Sequence, residues 1–143
     1  MGNNLQIRTV NYKMMDNIIC ISTTGETSYS TKNLSPGNCQ VFKYSDNSKS
    51  FEIFLVKPLI KLEENNGDNL FAYKNICPHQ KIPLDWKPGN FFNYNKNAIQ
   101  CSTHGALFRI NDGFCFKGPC SGKSLEKVKF KIINDKIIFF FVN

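Results

Sequence analysis

The chain has 143 residues, 13% of them aromatic, and a formal net charge of +7. This length suits a single domain with one hydrophobic core, and no run approaches the ~18 consecutive apolar residues of a membrane span. The lysines occur singly between apolar residues, so we predict no nucleic-acid binding and no membrane association, although the positive charge would favour an acidic protein partner.

Residues 1–33 are predicted to form an N-terminal extension. They contain two short strand-like runs, residues 5–10 and 18–21, followed by a stretch rich in Ser and Thr. The extension is predicted either as an added pair of strands or as a loose arm. Because polar residues stand near the N-terminus where a signal peptide needs an apolar core, we predict a cytoplasmic location.

From residue 34 onward the composition is typical of β structure. The first predicted strands, rich in β-branched and aromatic residues, cover residues 40–44, 51–56, 59–62 and 70–73. Pro58 is expected to end the second of them. The pair Asn66-Gly67 is a strong hairpin signal and predicts that the third and fourth strands pair with each other.

The second half of the chain continues the same pattern, because its prolines and glycines argue against any long helix. Its predicted strands cover residues 98–100, 107–110, 114–116, 128–133 and 136–142. The last two form a hairpin about Asn134-Asp135. We therefore predict an all-β fold, an antiparallel β sandwich or barrel base with a small β subdomain inserted at about residues 77–119.

Two short motifs in this region each combine one cysteine with one histidine. The first is Cys77-Pro78-His79, and the second, Cys101 to His104, spaces its two residues by one more position. Two thiolates and two imidazoles are a typical metal-ligand set. Zinc fingers usually begin with a cysteine pair and end with a histidine pair, whereas one of each per loop suits a binuclear iron-sulfur cluster. A structural zinc stays open as the alternative.

The remaining cysteines have no predicted ligand role. In a reducing compartment we expect Cys20, Cys39, Cys115 and Cys120 to be free thiols that pack as small apolar groups. Cys115 and Cys120 are also close enough in sequence for a disulfide. The only tryptophan, Trp86, is predicted to pack in the core beneath the first ligand loop.

The region from about residue 71 to 125 resembles the cluster-binding segment of Rieske iron-sulfur proteins, and most closely that of soluble Rieske-type ferredoxins. The resemblance is carried by the C-x-H motif, the C-x2-H-G motif and the later Gly118-Pro119. It implies a Rieske domain at residues 34–143 with a cluster-binding subdomain at about 77–119. It also implies that Gly118-Pro119 forms a loop covering the cluster.

The same resemblance implies one Rieske-type 2Fe-2S cluster as the cofactor. Its ligands would be Cys77 and Cys101 on the buried iron, with His79 and His104 on the outer iron. The implied function is that of a monomeric electron carrier, not an enzyme, whose partners are a reductase and a terminal oxygenase. Gly105, directly after the last ligand, is expected to need a backbone conformation that favours glycine.

The resemblance also predicts a low midpoint potential. Relatives in quinol-oxidising complexes carry a disulfide between the two ligand loops, but the matching positions here are Ile82 and Thr103. In those relatives a serine hydroxyl and a tyrosine hydroxyl also donate hydrogen bonds to sulfur atoms of the centre. The matching positions in this chain are Ala106 and Phe108. Because hydrogen bonds to sulfur stabilise the more negative, reduced cluster, their loss lowers the potential.

Three other functions are alternatives to the electron carrier. A catalytic oxygenase needs two further histidines and a carboxylate for its iron, and this chain has only two histidines in all. A small Rieske subunit of a larger reductase, of the nitrite reductase type, is a second alternative. A zinc-stabilised binding module is the third, and it would be colourless.

Overall fold

The computed structural model describes residues 18–62 and 67–141, and this part of the chain forms three small β-sheets. The ten strands are β1 (Ile18–Cys20), β2 (Glu26–Ser30), β3 (Asn38–Ser45), β4 (Ser50–Lys57), β5 (Phe71–Lys74), β6 (Ile99–Gln100), β7 (Leu107–Phe108), β8 (Cys115–Lys117), β9 (Lys129–Ile133) and β10 (Lys136–Phe140). One turn of 3-10 helix, Thr31–Asn33, follows β2. None of the described residues belongs to a helix long and apolar enough to cross a membrane.

The largest sheet has the strand order β1-β3-β4-β5 and lies at the centre of the fold. Its strands pair antiparallel except β1, which runs parallel to β3. A second sheet has the order β2-β10-β9, and a third, β6-β7-β8, belongs to the inserted part of the chain. The predicted all-β fold, an antiparallel base with a small inserted β subdomain, is confirmed.

Both faces of the central sheet are buried. Successive side chains of a strand point to opposite sides of the sheet, so each strand contributes to both faces. On β4, Ile53 and Leu55 pack into one cluster with residues of β9 and β10, which we call the base core. Phe54 and Val56 pack into a second cluster with the inserted residues, which we call the cap core. The strand therefore reads as a continuous apolar run, as expected for a strand covered on two sides.

The cap core fixes the inserted subdomain to the central sheet. Phe54 on β4 stacks face to face on Phe91, with ring centroids 4.0 Å apart and an angle of 5° between the planes. The Tyr73 hydroxyl on β5 donates a hydrogen bond of 2.5 Å to the Ile110 carbonyl beyond β7. Because these side chains are fully buried, the sheet forms a firm support for the loops above it.

Two predictions about the early strands need correction. Residues 59–62 are not a strand, and β5 pairs with β4 instead. The side chain of Asn69 accepts a hydrogen bond from the Leu62 N–H and donates one to the Ile60 carbonyl, so these backbone groups are not in a ladder. Residues 63–66, which include Asn66 of the predicted turn, lie outside the described residues.

The described part of the N-terminal extension belongs to the sheets. The predicted run at 18–21 is β1, and the Ser/Thr-rich stretch contains β2, which the sequence did not predict as a strand. β2 pairs with β10, more than a hundred residues later in the chain. The predicted strand at residues 5–10 lies outside the described residues, and the division of the chain at residue 34 stays a prediction.

Candidate metal centre

The two predicted ligand loops, residues 77–82 and 101–106, are closed by the same pair of hydrogen bonds. In each, the cysteine N–H donates to the carbonyl five positions later, at 2.7 Å in the first loop and 3.0 Å in the second. The cysteine carbonyl accepts from the N–H four positions later, at 2.8 Å and 2.9 Å. That residue has a positive φ in both loops, 58° at Lys81 and 74° at Gly105. The expected conformation of Gly105 is therefore confirmed, and a lysine adopts it in the first loop.

The four predicted ligands lie in two layers. Cys77 and Cys101 are buried, with 1% and 2% of their surface exposed. His79 is half-buried and His104 is exposed. The two imidazole rings meet edge to face with centroids 5.1 Å apart. The loops thus hold a pair of thiols inside the protein and a pair of imidazoles at its surface.

The surroundings of the Cys101 thiol suit a thiolate ligand. Burial raises the pKa of Cys101, and the adjacent Cys77 thiol raises it further. The backbone N–H groups of Thr103 and His104 hydrogen-bond to the Cys101 sulfur and act in the opposite direction. Donors already directed at a sulfur stabilise the negative charge of a bound thiolate. If a metal replaces the thiol protons, the backbone N–H groups are therefore already placed to stabilise the Cys101 thiolate that binds it.

The four predicted ligands differ in burial, with the two thiols as an inner pair and the two imidazoles as an outer pair. Among the residues that the structure describes, no three His, Cys, Asp or Glu side chains are grouped so as to hold one metal ion. A tetrahedral zinc site brings its four ligands together around a single ion, whereas a 2Fe-2S cluster can take two ligands on each of its irons. The donor types and their separation into an inner and an outer pair fit the second kind of centre.

Further contacts connect the two loops to each other. The Ser102 N–H in the second loop donates to the Leu84 carbonyl at 2.8 Å, just beyond the first loop. Trp86 donates from its indole Nε1 to Thr103 Oγ1 at 3.2 Å. The prediction that Trp86 packs in the core is wrong, because 73% of its surface is exposed. Leu84, two residues earlier, is fully buried in the cap core together with Cys77.

Asn75 is a buried polar residue that fixes the first loop, and the sequence analysis did not single it out. Its side-chain oxygen accepts a hydrogen bond of 2.8 Å from the Leu84 N–H, and its amide donates to Glu52 and Asp85 at 3.0 Å and 2.9 Å. An isolated Asn at the end of an apolar strand, two residues before a ligand, was the available signal.

We expect Asn75→Ala to lower the free energy of unfolding by about 1–3 kcal/mol, because the buried Leu84 N–H then loses its acceptor. Denaturant unfolding of the purified protein measures this. The exposed Asn95→Ala serves as the control and should change the value by less than about 0.5 kcal/mol. A similarly small change in Asn75→Ala would contradict the supporting role.

A third segment closes over the second loop. Gly118 has a φ of 101°, and a side chain there would meet the Cα atom of Ala106 at 2.8 Å. Only glycine permits this close approach, so Gly118-Pro119 packs against the second ligand loop. Pro119 itself is exposed.

The four other cysteines are free thiols in the structure. Cys20 and Cys39 are half-buried, whereas Cys115 and Cys120 are buried. Burial raises the pKa of Cys120 to about 12. Its sulfur lies 3.9 Å from the sulfur of Cys77, one of the predicted ligands, a proximity that the sequence did not suggest.

Comparison with known sequences identifies one family. The sequence model of the Rieske [2Fe-2S] domain matches residues 28–133 of this chain. A search of curated proteins finds no match.

Several solved structures share the fold at low sequence identity. The ferredoxin of carbazole 1,9a-dioxygenase from Nocardioides aromaticivorans IC177 is 20% identical, with a TM-score of 0.55 over 78% of this chain and 91% of that one. A chain of a hyperthermophilic respiratory complex III is 21% identical, with a TM-score of 0.56 over 82% and 75%. The terminal oxygenase of carbazole 1,9a-dioxygenase from Novosphingobium sp. KA1 is 14% identical, with a TM-score of 0.58 over 80% of this chain but only 29% of that one.

Proposed function

Because this chain belongs to the Rieske [2Fe-2S] domain family, we propose that it is a soluble ferredoxin that carries single electrons from a reductase to a terminal oxygenase. Its family carries one Rieske-type 2Fe-2S cluster. The observation that supports the function best is the buried pair of thiols directly behind a surface pair of imidazoles. Such an arrangement suits a redox centre that has to meet another protein.

We assign the cluster ligands as Cys77, His79, Cys101 and His104. The two buried thiols would bind the inner iron and the two outer imidazoles the other. When bound, a cluster with two neutral imidazoles takes up one electron at a potential of roughly −150 to +300 mV, well above that of all-cysteine ferredoxins. The chain's own contribution is to keep the thiols away from water and the imidazoles at the surface.

The proposed partners follow from the position of the imidazoles and from the known neighbours. One structural neighbour is a complex of reduced oxygenase and oxidized ferredoxin of carbazole 1,9a-dioxygenase. This chain is 15% identical to the matched chain of that complex and covers 96% of it. A neighbour of this kind supports a role as the separate electron carrier. The cytoplasmic location and the monomeric state stay predictions.

The main alternative is a small Rieske subunit of a larger reductase, of the nitrite reductase type. Such a subunit would co-purify in a fixed ratio with a large flavoprotein or sirohaem protein. A carrier, by contrast, should be isolated alone and should reduce a foreign acceptor. We therefore expect the dithionite-reduced protein, freed of excess dithionite, to reduce cytochrome c with one electron per chain and to keep its cluster.

The low-potential assignment gives a direct prediction for Phe108. Phe108 is fully buried in the cap core, which also contains Cys77 and Cys101, and it stands at the position where the resemblance places a tyrosine hydroxyl on a ligand sulfur. We expect Phe108→Tyr to raise the midpoint by about 60 mV or more, the equivalent of one hydrogen bond of ~1.5 kcal/mol to a charged group. Ala106→Ser should act in the same direction.

Potentiometric titration of the visible spectrum measures the midpoint. Phe130→Tyr is the matched control, since Phe130 packs against the base core on the other side of the central sheet, and it should leave the midpoint unchanged. A midpoint of the unaltered protein near the upper end of the family range would contradict the low-potential assignment.

A further inference from the structure

Three buried thiols meet beside the first ligand loop. Cys77 and Cys120 expose 1% of their surface each, and Cys115 exposes none. The sulfur atoms of Cys77 and Cys120 are 3.9 Å apart, within the range of a hydrogen bond between sulfurs. The Cys120 thiol also interacts with the thiol of Cys115 on its other side.

The direction of these hydrogen bonds follows from the number of available protons. Cys115 donates its S–H to the Lys117 carbonyl at 3.3 Å, so it has no proton left to donate to Cys120. Cys120 has a single S–H, which can be directed either at the Cys77 sulfur or at the Cys115 sulfur. A cysteine that ligates iron is a thiolate and has no proton. Once Cys77 is a ligand, Cys120 is therefore the donor in the Cys77–Cys120 pair. The single S–H of Cys120 is then directed at Cys77 and not at Cys115, because a thiolate is a stronger acceptor than a neutral thiol.

We propose that the Cys120 thiol donates a hydrogen bond to the Sγ atom of Cys77 and thereby raises the midpoint potential of the cluster. This inference rests on the proposed function, because it requires Cys77 to be an iron ligand. It makes Cys120 a positioning and tuning residue that is not itself a ligand. It would partly replace the donors that are missing at Ala106 and Phe108.

The segment that carries Cys120 is fixed on both sides. The Cys120 carbonyl accepts a hydrogen bond of 2.9 Å from the Lys123 N–H, and the Lys123 carbonyl accepts one of 2.8 Å from the Cys115 N–H. Before Cys120, Gly118 packs against Ala106 of the second ligand loop. The backbone of Cys120 is thus fixed close to β8, and its side chain is buried beside Cys77.

The size of the effect follows from the change of charge on reduction. Reduction adds one negative charge to the centre, and a donor to a ligand sulfur strengthens as that charge grows. For a weak S–H donor we expect about a tenfold change in the equilibrium constant of reduction, which corresponds to about 59 mV for one electron.

The test compares the midpoint potentials of Cys120→Ala, Cys120→Ser and the unaltered protein, each loaded with its cluster. Cys120→Ala removes the donor and should lower the equilibrium constant of reduction about tenfold. Cys120→Ser keeps a donor and should leave the constant at least as high as in the unaltered protein. Cys115→Ser is the matched control, since its hydroxyl can still donate to the Lys117 carbonyl, and it should change the constant less than twofold.

The possible outcomes separate this inference from the proposed function. Suppose that the electron paramagnetic resonance signal of the cluster remains in the variants. A change of less than twofold in the equilibrium constant of reduction of Cys120→Ala, or an equal fall of that constant in Cys120→Ala and Cys120→Ser, would then overturn the hydrogen bond but not the proposed function. Unaltered protein without iron and inorganic sulfide would overturn both proposals. A fall in Cys120→Ala with recovery in Cys120→Ser supports the inference, because a role in packing alone gives no such recovery.

Discussion

Replacing Cys101 by alanine is expected to abolish cluster binding. Cys101 is 2% exposed and is the thiol whose sulfur already receives backbone N–H groups from Thr103 and His104. Without it the inner iron would have only one protein ligand left, whereas a 2Fe-2S cluster takes two on each iron. We expect the purified variant to be colourless and to contain less than about one-tenth of the iron and sulfide of the unaltered protein.

The measurement is the iron and acid-labile sulfide content per chain, with circular dichroism to confirm that the variant is folded. Cys101→Ser keeps the volume of the side chain and should lose most of the cluster as well. Cys20→Ala is the control, because Cys20 lies on β1 in the central sheet and is half-buried. A full complement of iron in Cys101→Ala would exclude Cys101 as a ligand.

Replacing His104 by cysteine is expected to lower the midpoint potential strongly in the fraction of protein that retains a cluster. A thiolate in place of a neutral imidazole adds one negative charge to the centre, and a further electron is then taken up less readily. All-cysteine ferredoxins lie near about −400 mV, whereas histidine-ligated centres reach from roughly −150 mV upward, so we expect a fall of about 100 mV or more.

Because His104 is exposed, this exchange should cost little folding energy. Potentiometric titration measures the midpoint, and Gln80→Cys is the matched control, since it places an exposed thiol beside His79 without replacing a predicted ligand. We expect no change in that control. An unaltered midpoint and cluster content in His104→Cys would mean that His104 is not a ligand.

The strands that the sequence predicted well are those whose signals are local. The final hairpin is an example, because Asn134 and Asp135 both adopt positive φ, 52° and 67°, as a tight two-residue turn requires. Phe130 and Ile132 alternate with exposed lysines on β9 and pack against the base core, as their spacing predicted.

The strands that the sequence missed depend on distant partners. β2 is a polar stretch, and it becomes a strand because β10, far along the chain, provides its hydrogen bonds. Residues 59–62 are apolar enough for a strand, but the side chain of Asn69 takes their backbone groups. Neither outcome can be deduced from local composition, since tertiary contacts override propensity.

The candidate site divides in the same way. The predicted ligand set comes from two short motifs, and the structure places its thiols inside and its imidazoles nearer the surface. The residue that supports the first loop, and the one that we propose to tune the potential, make contacts that no short motif reveals. Cys120 is 43 positions from Cys77, and Asn75 reaches back to Glu52 on β4. Only the fold brings these groups together.

The central claim is that two cysteines bind one iron and two histidines bind the other. Pulsed electron paramagnetic resonance on the dithionite-reduced protein, with metal and sulfide analysis of the same sample, tests it most directly. We predict two irons and two sulfides per chain, a rhombic signal, and hyperfine couplings from two histidine nitrogens that change when histidine is labelled with nitrogen-15. A single zinc without sulfide, or a cluster signal without histidine nitrogen couplings, would contradict the assignment.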